Sequence, residues 1–153
     1  MVKEYIHQAL QYILTIVLIC GGLRLYKNST KAVIDSNDHS MEPEYPYGNY
    51  SLDHSALRAS EIEAGKIVAY YLPGKSLEHR VAAVVATEGQ RVSCANNKLL
   101  VNGVLSKVHP VWRVPLPELV IPKGCLFLLS TVPDQDSGVF GPIPMRNVIG
   151  TFK

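Results

Sequence analysis

Residues 38–43, Asp-His-Ser-Met-Glu-Pro, are the part of the chain whose residue types most directly suggest catalysis. An aspartate, a histidine and a serine are adjacent, but neighbouring side chains diverge and do not meet in a line. Ser40 therefore needs a general base from elsewhere in the fold before its hydroxyl can act as a nucleophile. The candidate bases are the lysines and four histidines: His7, His54, His79 and His109.

Composition narrows the classes of function. The 153 residues suit one compact domain with a short appendage, and 47% apolar with 18% charged residues is typical of a folded protein. The net charge is +2 and no Lys/Arg cluster occurs, which argues against nucleic acid as the main partner. The three cysteines form no metal signature, and no cofactor is implied. Cys94 and Cys125 could pair in an oxidising compartment, which their spacing alone does not decide.

An apolar segment at residues 6–23 contains no charged residue apart from a histidine taken as neutral. At about 1.5 Å per residue it is just long enough to cross a hydrocarbon core of about 30 Å. We predict a single uncleaved transmembrane anchor, with the anchor and its flanks at 1–31 and a folded domain at 32–153. A cleaved signal peptide would need a better small-residue site than Gly-Gly-Leu at 21–23. A buried core helix would not be expected to run into the polar residues 24–31.

From Tyr50 onward, short β-type runs alternate with Gly, Pro and Asn turns. We predict strands at residues 66–72, 79–86, 91–94, 98–101, 126–130 and 147–152. Ala-Asn-Asn at 95–97 predicts a hairpin turn and Asn102-Gly103 another, whereas 110–122, with its prolines, predicts an extended loop. The fold class is therefore mainly β, a curled sheet or barrel with no long amphipathic helix after residue 60.

Several short motifs, taken in order, resemble the signal peptidase family of serine peptidases. They lie at residues 40–43 (Ser-Met-Glu-Pro, then Gly48), 65–69 (Gly-Lys-Ile-Val-Ala), 79–81 (His-Arg-Val), 89–92 (Gly-Gln-Arg-Val), 100–103 (Leu-Val-Asn-Gly) and 136–144 (Asp-Ser-Gly-Val-Phe-Gly-Pro-Ile-Pro), leading to 148–150. The resemblance implies a signal-peptidase-like curled β-sheet domain after one N-terminal transmembrane helix.

The resemblance also implies roles for individual residues. Ser40 corresponds to the nucleophile, and Met41 to a residue lining the pocket for a small substrate side chain. His79 occupies the base position, where most bacterial members have lysine and relatives of the endoplasmic-reticulum and archaeal type have histidine. Histidine needs no strong desolvation to be neutral near pH 7. Asp136 is the candidate carboxylate that orients the imidazole, with Asp134 as the second choice.

Other residues complicate this assignment. Lys75, in a turn after Pro73-Gly74, is a less favoured base. Asn49 replaces an aspartate of the family pattern, and Gly138 replaces an arginine that could pair with Asp136. Asp38 stands where many members place a serine that helps to hold the oxyanion, and a carboxylate cannot donate a hydrogen bond. Either Asp38 points away or activity is weak.

Tyrosines at positions 45, 47 and 50 follow the nucleophile closely. They fit either a packed, turn-rich surface or a rim at a membrane interface.

The resemblance implies a membrane-bound serine endopeptidase that removes signal or leader peptides from exported, membrane-tethered precursors. Its partners are these precursors and the lipid bilayer. Lys3 precedes the span and three cations follow it, so the positive-inside rule places the domain in the cytoplasm, whereas the family's substrates place it on the exported side. We expect the exported side. The alternatives are a conjugation-type pilin maturation peptidase, which joins peptide ends, and a catalytically inactive binding protein of the same fold.

Overall fold

The structure is a computed structural model, and it describes residues 2–27, 29–34, 41, 48–53, 62–74, 79–108, 116–131 and 136–152. In the first helix and the first strand, side chains are described for residues 8, 10–21 and 34.

The chain begins with helix α1, Val2–Lys27, which contains the predicted span at 6–23 and extends beyond it. The apolar side chains from Tyr12 to Ile19 are each more than half exposed. Among the described residues, no helix is long and apolar enough to cross a membrane. The predicted transmembrane anchor is therefore not confirmed, and Gln8 and Gln11 occupy its first turns.

The rest of the described chain is mainly β. The strands are β1 (Ser29–Ile34), β2 (Gly48–Asp53), β3 (Ile67–Tyr71), β4 (His79–Thr87), β5 (Arg91–Ala95), β6 (Lys98–Val101), β7 (Val104–Leu105), β8 (Leu119–Val120), β9 (Cys125–Leu129), β10 (Ile143–Pro144) and β11 (Val148–Phe152). A short helix, α2 (Ser137–Phe140), follows β9, and a 3₁₀ turn, Met145–Asn147, precedes β11. Every predicted strand is confirmed, with ends shifted by at most about one residue. The predicted loop at 110–122 includes β8, and the boundary proposed between 31 and 32 falls within β1.

The main sheet has seven strands in the order β1-β2-β11-β3-β4-β9-β10, and its described pairings are antiparallel. Strand β4 pairs with β3 from Ala83 to His79, and with β9 from Thr87 to Ala83. The register with β9 shifts between Val84 and Ala86. Such a bulge bends and twists a strand, in agreement with the predicted curled sheet.

The second sheet has four strands in the order β7-β6-β5-β8. Asn96 and Asn97 join β5 to β6 with φ values of 53° and 59°. Both central residues are thus left-handed, as a tight type I′ hairpin turn requires. Asn102 and Gly103 turn the chain again at φ 52° and 79°, so both predicted turns are confirmed.

Strand β4 contributes to the core on both of its faces. Ala82 and Val84 pack in a cluster with Val68 and Tyr70. Alternate residues point to the opposite face, where they join what we call the Met41 cluster. It consists of Ile34, Met41, Leu52, Ala69, Val81, Ala83 and Phe152.

A third cluster joins the two sheets around Phe127, which is fully buried. Cys94 and Cys125 both pack against this cluster and are partly buried. In the structure no disulfide joins Cys94 to Cys125, so the pairing considered from the sequence is not formed.

Candidate active site

The predicted site is described only in part. Ser40, Asp38 and Asp134 lie outside the described residues, as do Lys75, His54 and His109 and the side chain of His7. The structure does describe Met41, His79 and Asp136.

Met41, the residue after the predicted nucleophile, is only 4% exposed. It packs in the Met41 cluster together with Ala69 of β3 and Val81 of β4. Full burial of a methionine side chain favours folding by about 1.5–3 kcal/mol, which fixes this point of the chain against the main sheet. Its predicted role as a pocket residue stays a prediction.

His79 is the first residue of β4 and is half-buried. It lies opposite Tyr71, the last residue of β3. Because side chains alternate along a strand, His79 shares its face of β4 with Val81 and Ala83. Both of these belong to the Met41 cluster. The predicted base and the residue next to the predicted nucleophile therefore lie on the same face of the main sheet.

Arg80 follows His79 and is held close to its backbone. The Arg80 Nη1 atom donates a hydrogen bond to the His79 carbonyl oxygen at 2.9 Å, in a half-buried position. From the sequence, Arg80 was considered only as part of the His-Arg-Val motif and was given no role of its own. A long cationic side chain directly after a candidate base is the one signal that could have indicated this contact.

Asp136 is fully buried and hydrogen-bonded. Its Oδ2 accepts from the Ser130 backbone N–H at 3.1 Å and from the Ser130 hydroxyl at 3.4 Å. Its Oδ1 accepts from the Gly138 N–H at 2.8 Å, which caps the first turn of α2. These bonds offset the cost of placing a carboxyl group away from water.

The next residue, Ser137, extends the same pattern. Its Oγ accepts a hydrogen bond from the Leu128 N–H at 2.9 Å and the side chain is 1% exposed. Leu128 and Ser130 are two positions apart, so Asp136 and Ser137 bind alternate N–H groups along one edge of β9, as a neighbouring strand would. Sequence reasoning missed Ser130 and Ser137, since their partners depend on where β10 stops pairing with β9.

His79 and Asp136 lie towards the same end of the main sheet. The start of β4 and the end of β9 meet there, with Ala83 opposite Leu129. In this register Ser130, which donates hydrogen bonds to Asp136, lies opposite Ala82. Ala82 is three residues from His79, which is about 10 Å along β4. The Asp136 carboxylate accepts hydrogen bonds from Ser130, the residue after β9, and from Gly138 of α2.

Tyr50 is the one tyrosine of the predicted rim that the structure describes. It is half-buried in β2, and its ring lies 5.2 Å from that of Phe152. This contact favours the packed interpretation for Tyr50, whereas positions 45 and 47 lie outside the described residues. In the described part of the chain, no group of three or more His, Cys, Asp or Glu residues could hold a metal ion.

Comparison with known proteins gives three findings. Residues 6–153 match the family described as "Signal peptidase, peptidase S26". The chain is 29% identical over 101 residues to a protein of Arabidopsis thaliana named "Probable thylakoidal processing peptidase 2, chloroplastic". That match covers 58% of this chain and 27% of the relative, so the chain spans about a quarter of that relative's length. A crystal structure of a signal peptidase I from Enterococcus faecalis V583 matches at 18% identity and a TM-score of 0.48, covering 60% of this chain and 97% of that one.

Proposed function

Since the chain belongs to the signal peptidase family, peptidase S26, we propose that it is a serine endopeptidase that removes signal or leader peptides from exported precursors. Members of this family are serine endopeptidases. The observation that carries the proposal for this chain is the burial of Met41 on the face of β4 that carries His79.

In the proposed site, Ser40 is the nucleophile and His79 is its base. Ser40 precedes Met41 directly, and consecutive Cα atoms are about 3.8 Å apart. Met41 packs with Val81, which is two positions after His79 on the same face of β4. The packing of Met41 thus ties the neighbour of the nucleophile to the strand that carries the base.

The proposed reaction has two steps. His79 takes the proton from the Ser40 hydroxyl as its oxygen attacks the peptide carbonyl carbon, and the imidazolium then protonates the leaving amine. Water, deprotonated by His79, next attacks the acyl-enzyme ester. As the ester C–O bond breaks, the imidazolium returns the proton to the Ser40 oxygen, which releases the carboxyl product and regenerates Ser40 and neutral His79. Asp38 cannot donate a hydrogen bond, so the Ser40 backbone N–H is the donor that we assign to the oxyanion.

Asp136 is proposed as the carboxylate that stabilises the imidazolium, with Asp134 as the second choice. Support comes from its position towards the His79 end of the main sheet and from its complete burial. A charge held in a buried site acts on its surroundings more strongly than one exposed to water.

We further propose that α1 attaches the peptidase domain to a membrane as its anchor, with the domain on the exported side. The exposed apolar side chains between Tyr12 and Ile19 support attachment to lipid. Confining enzyme and precursor to one thin layer lowers the entropic cost of their encounter. The membrane-tethered precursor would be cleaved after small residues.

The test is cleavage of a precursor carrying small residues before the scissile bond, with products identified by mass spectrometry. Wild type and His39→Ala should release a linear product, because adjacent side chains in a chain do not usually meet and His39 is therefore not proposed as the base. Ser40→Ala and His79→Ala should release none. A cyclic product would instead indicate peptide transfer, and no product with any variant would favour a binding protein. A carboxyl-terminal reporter active only in the cytoplasm would contradict the exported placement.

A further inference from the structure

The bond between Arg80 and the His79 carbonyl lies at a specific place in the main sheet. The Val84 N–H donates to the Lys66 carbonyl and the Val84 carbonyl accepts from the Gly65 N–H, so the backbone of Val84 faces β3. Backbone polar groups alternate from side to side along a strand. The carbonyl of His79, an odd number of residues from Val84, therefore faces the side of β9.

In the described residues, the pairing of β9 with β4 does not extend to His79. Their pairing ends with Ala83 opposite Leu129, whereas β3 continues to Tyr71, opposite His79. The Arg80 guanidinium donates to the His79 carbonyl on the side where this described ladder has ended. This bond is of the kind that a backbone N–H of a paired strand donates to a carbonyl.

We propose that Arg80 is a positioning residue for the catalytic base, an inference that rests on the proposed function of His79. A hydrogen bond from a charged donor is stronger than one between neutral groups. The guanidinium is planar and always charged, so its N–H groups are preorganised for this contact. The bond restrains the backbone from which the imidazole extends, and displacement of a catalytic group by about 1 Å can lower a rate by about a hundredfold.

The experiment compares Arg80→Met and Arg80→Lys with the matched control Arg91→Met. Arg91 makes an exposed ion pair with Glu118, with both side chains 57% exposed, and takes no part in the proposed site. In Arg80→Met we expect kcat to fall about tenfold or more and KM to stay within about twofold. Arg80→Lys keeps the charge without the planar fork, so its kcat should lie between those of Arg80→Met and wild type. Arg91→Met should match wild type.

A second readout does not depend on activity. Backbone amide hydrogen exchange at the amino-terminal end of β4 should be faster in Arg80→Met than in Arg91→Met, because local opening there becomes easier. Equal exchange would overturn the proposal whatever the protein's activity. If Arg80→Met does not fold, kcat and hydrogen exchange are measured on Arg80→Lys instead. A wild-type kcat together with wild-type exchange in Arg80→Lys would overturn the proposal.

Different results would contradict the role of Arg80 and the proposed peptidase function. If Ser40→Ala and His79→Ala are inactive while Arg80→Met has the kcat of Arg91→Met, the role of Arg80 is wrong and the peptidase stands. If Ser40→Ala is as active as wild type, the proposed function itself is wrong.

Discussion

Replacing Asp136 with alanine should destabilise the fold strongly, because its carboxylate is the acceptor for a set of buried donors. Oδ2 binds the Ser130 N–H and hydroxyl, and Oδ1 binds the Gly138 N–H. A buried donor left without its acceptor costs about 1–3 kcal/mol. The Ser130 site is buried and the Gly138 site is half-buried, so water can reach the second more easily. We therefore expect a loss of about 3 kcal/mol in the free energy of unfolding.

Urea unfolding of the full chain, monitored by circular dichroism, measures this loss in the free energy of unfolding. At about 2–4 °C per kcal/mol for a chain of this size, the melting temperature should fall by about 6–12 °C. Asp136→Asn keeps one acceptor oxygen and should lose less than the alanine variant. The control is Glu118→Ala, which breaks the exposed ion pair with Arg91 and should cost less than about 1 kcal/mol. If Asp136→Ala were no more destabilising than Glu118→Ala, the assigned hydrogen bonds would be wrong.

Three further predictions concern packing, turn geometry and the helix. Met41→Ala should lower the free energy of unfolding, measured with urea, by about 2–5 kcal/mol, and Met41→Leu should lower it by less than about 1.5 kcal/mol. Equal, small losses in the two variants would contradict the buried placement of Met41. Asn97 has a φ of 59°, so Asn97→Gly should leave the free energy of unfolding unchanged or raise it, whereas Asn97→Val should lower it by about 1–2 kcal/mol in the same assay. Equal stability of the two variants would contradict the left-handed turn. Lysines at Leu14 and Leu18 in α1 should reduce co-sedimentation with phospholipid vesicles more than Leu105→Lys in β7, and an equal effect would argue against attachment through α1.

Six strands could be predicted because their signals are local: β3, β4, β5, β6, β9 and β11. The two-residue strands β7, β8 and β10 were not predicted. Asn96-Asn97 and Asn102-Gly103 mark turns that need left-handed backbone, and strands β3, β4 and β11 each contain several β-branched residues. The main departures are at the amino-terminal end. The polar run 24–31 suggested a tail, yet α1 continues to Lys27 and β1 begins at Ser29. Strand β1 pairs with β2, a partner well separated in sequence, and such pairings leave little trace in local composition.

The site was predictable in part for the same reason. The motif order predicted the family, which the match over residues 6–153 confirms, whereas the roles that it implies for Ser40 and His79 stay predictions. The partners of Asp136 and the bond from Arg80 to His79 were not predictable. They depend on where β9 and β10 stop pairing, and this follows from the three-dimensional register.

The central claim is that Ser40 and His79 act as one catalytic unit, and a double-mutant cycle on kcat/KM for precursor cleavage tests it most directly. Residues that act as a unit are far from additive, so the double variant should be about as slow as Ser40→Ala alone. Each single variant should lose at least about a thousandfold relative to wild type. Losses that add independently, or a Ser40→Ala variant that cleaves at the wild-type rate, would contradict the account.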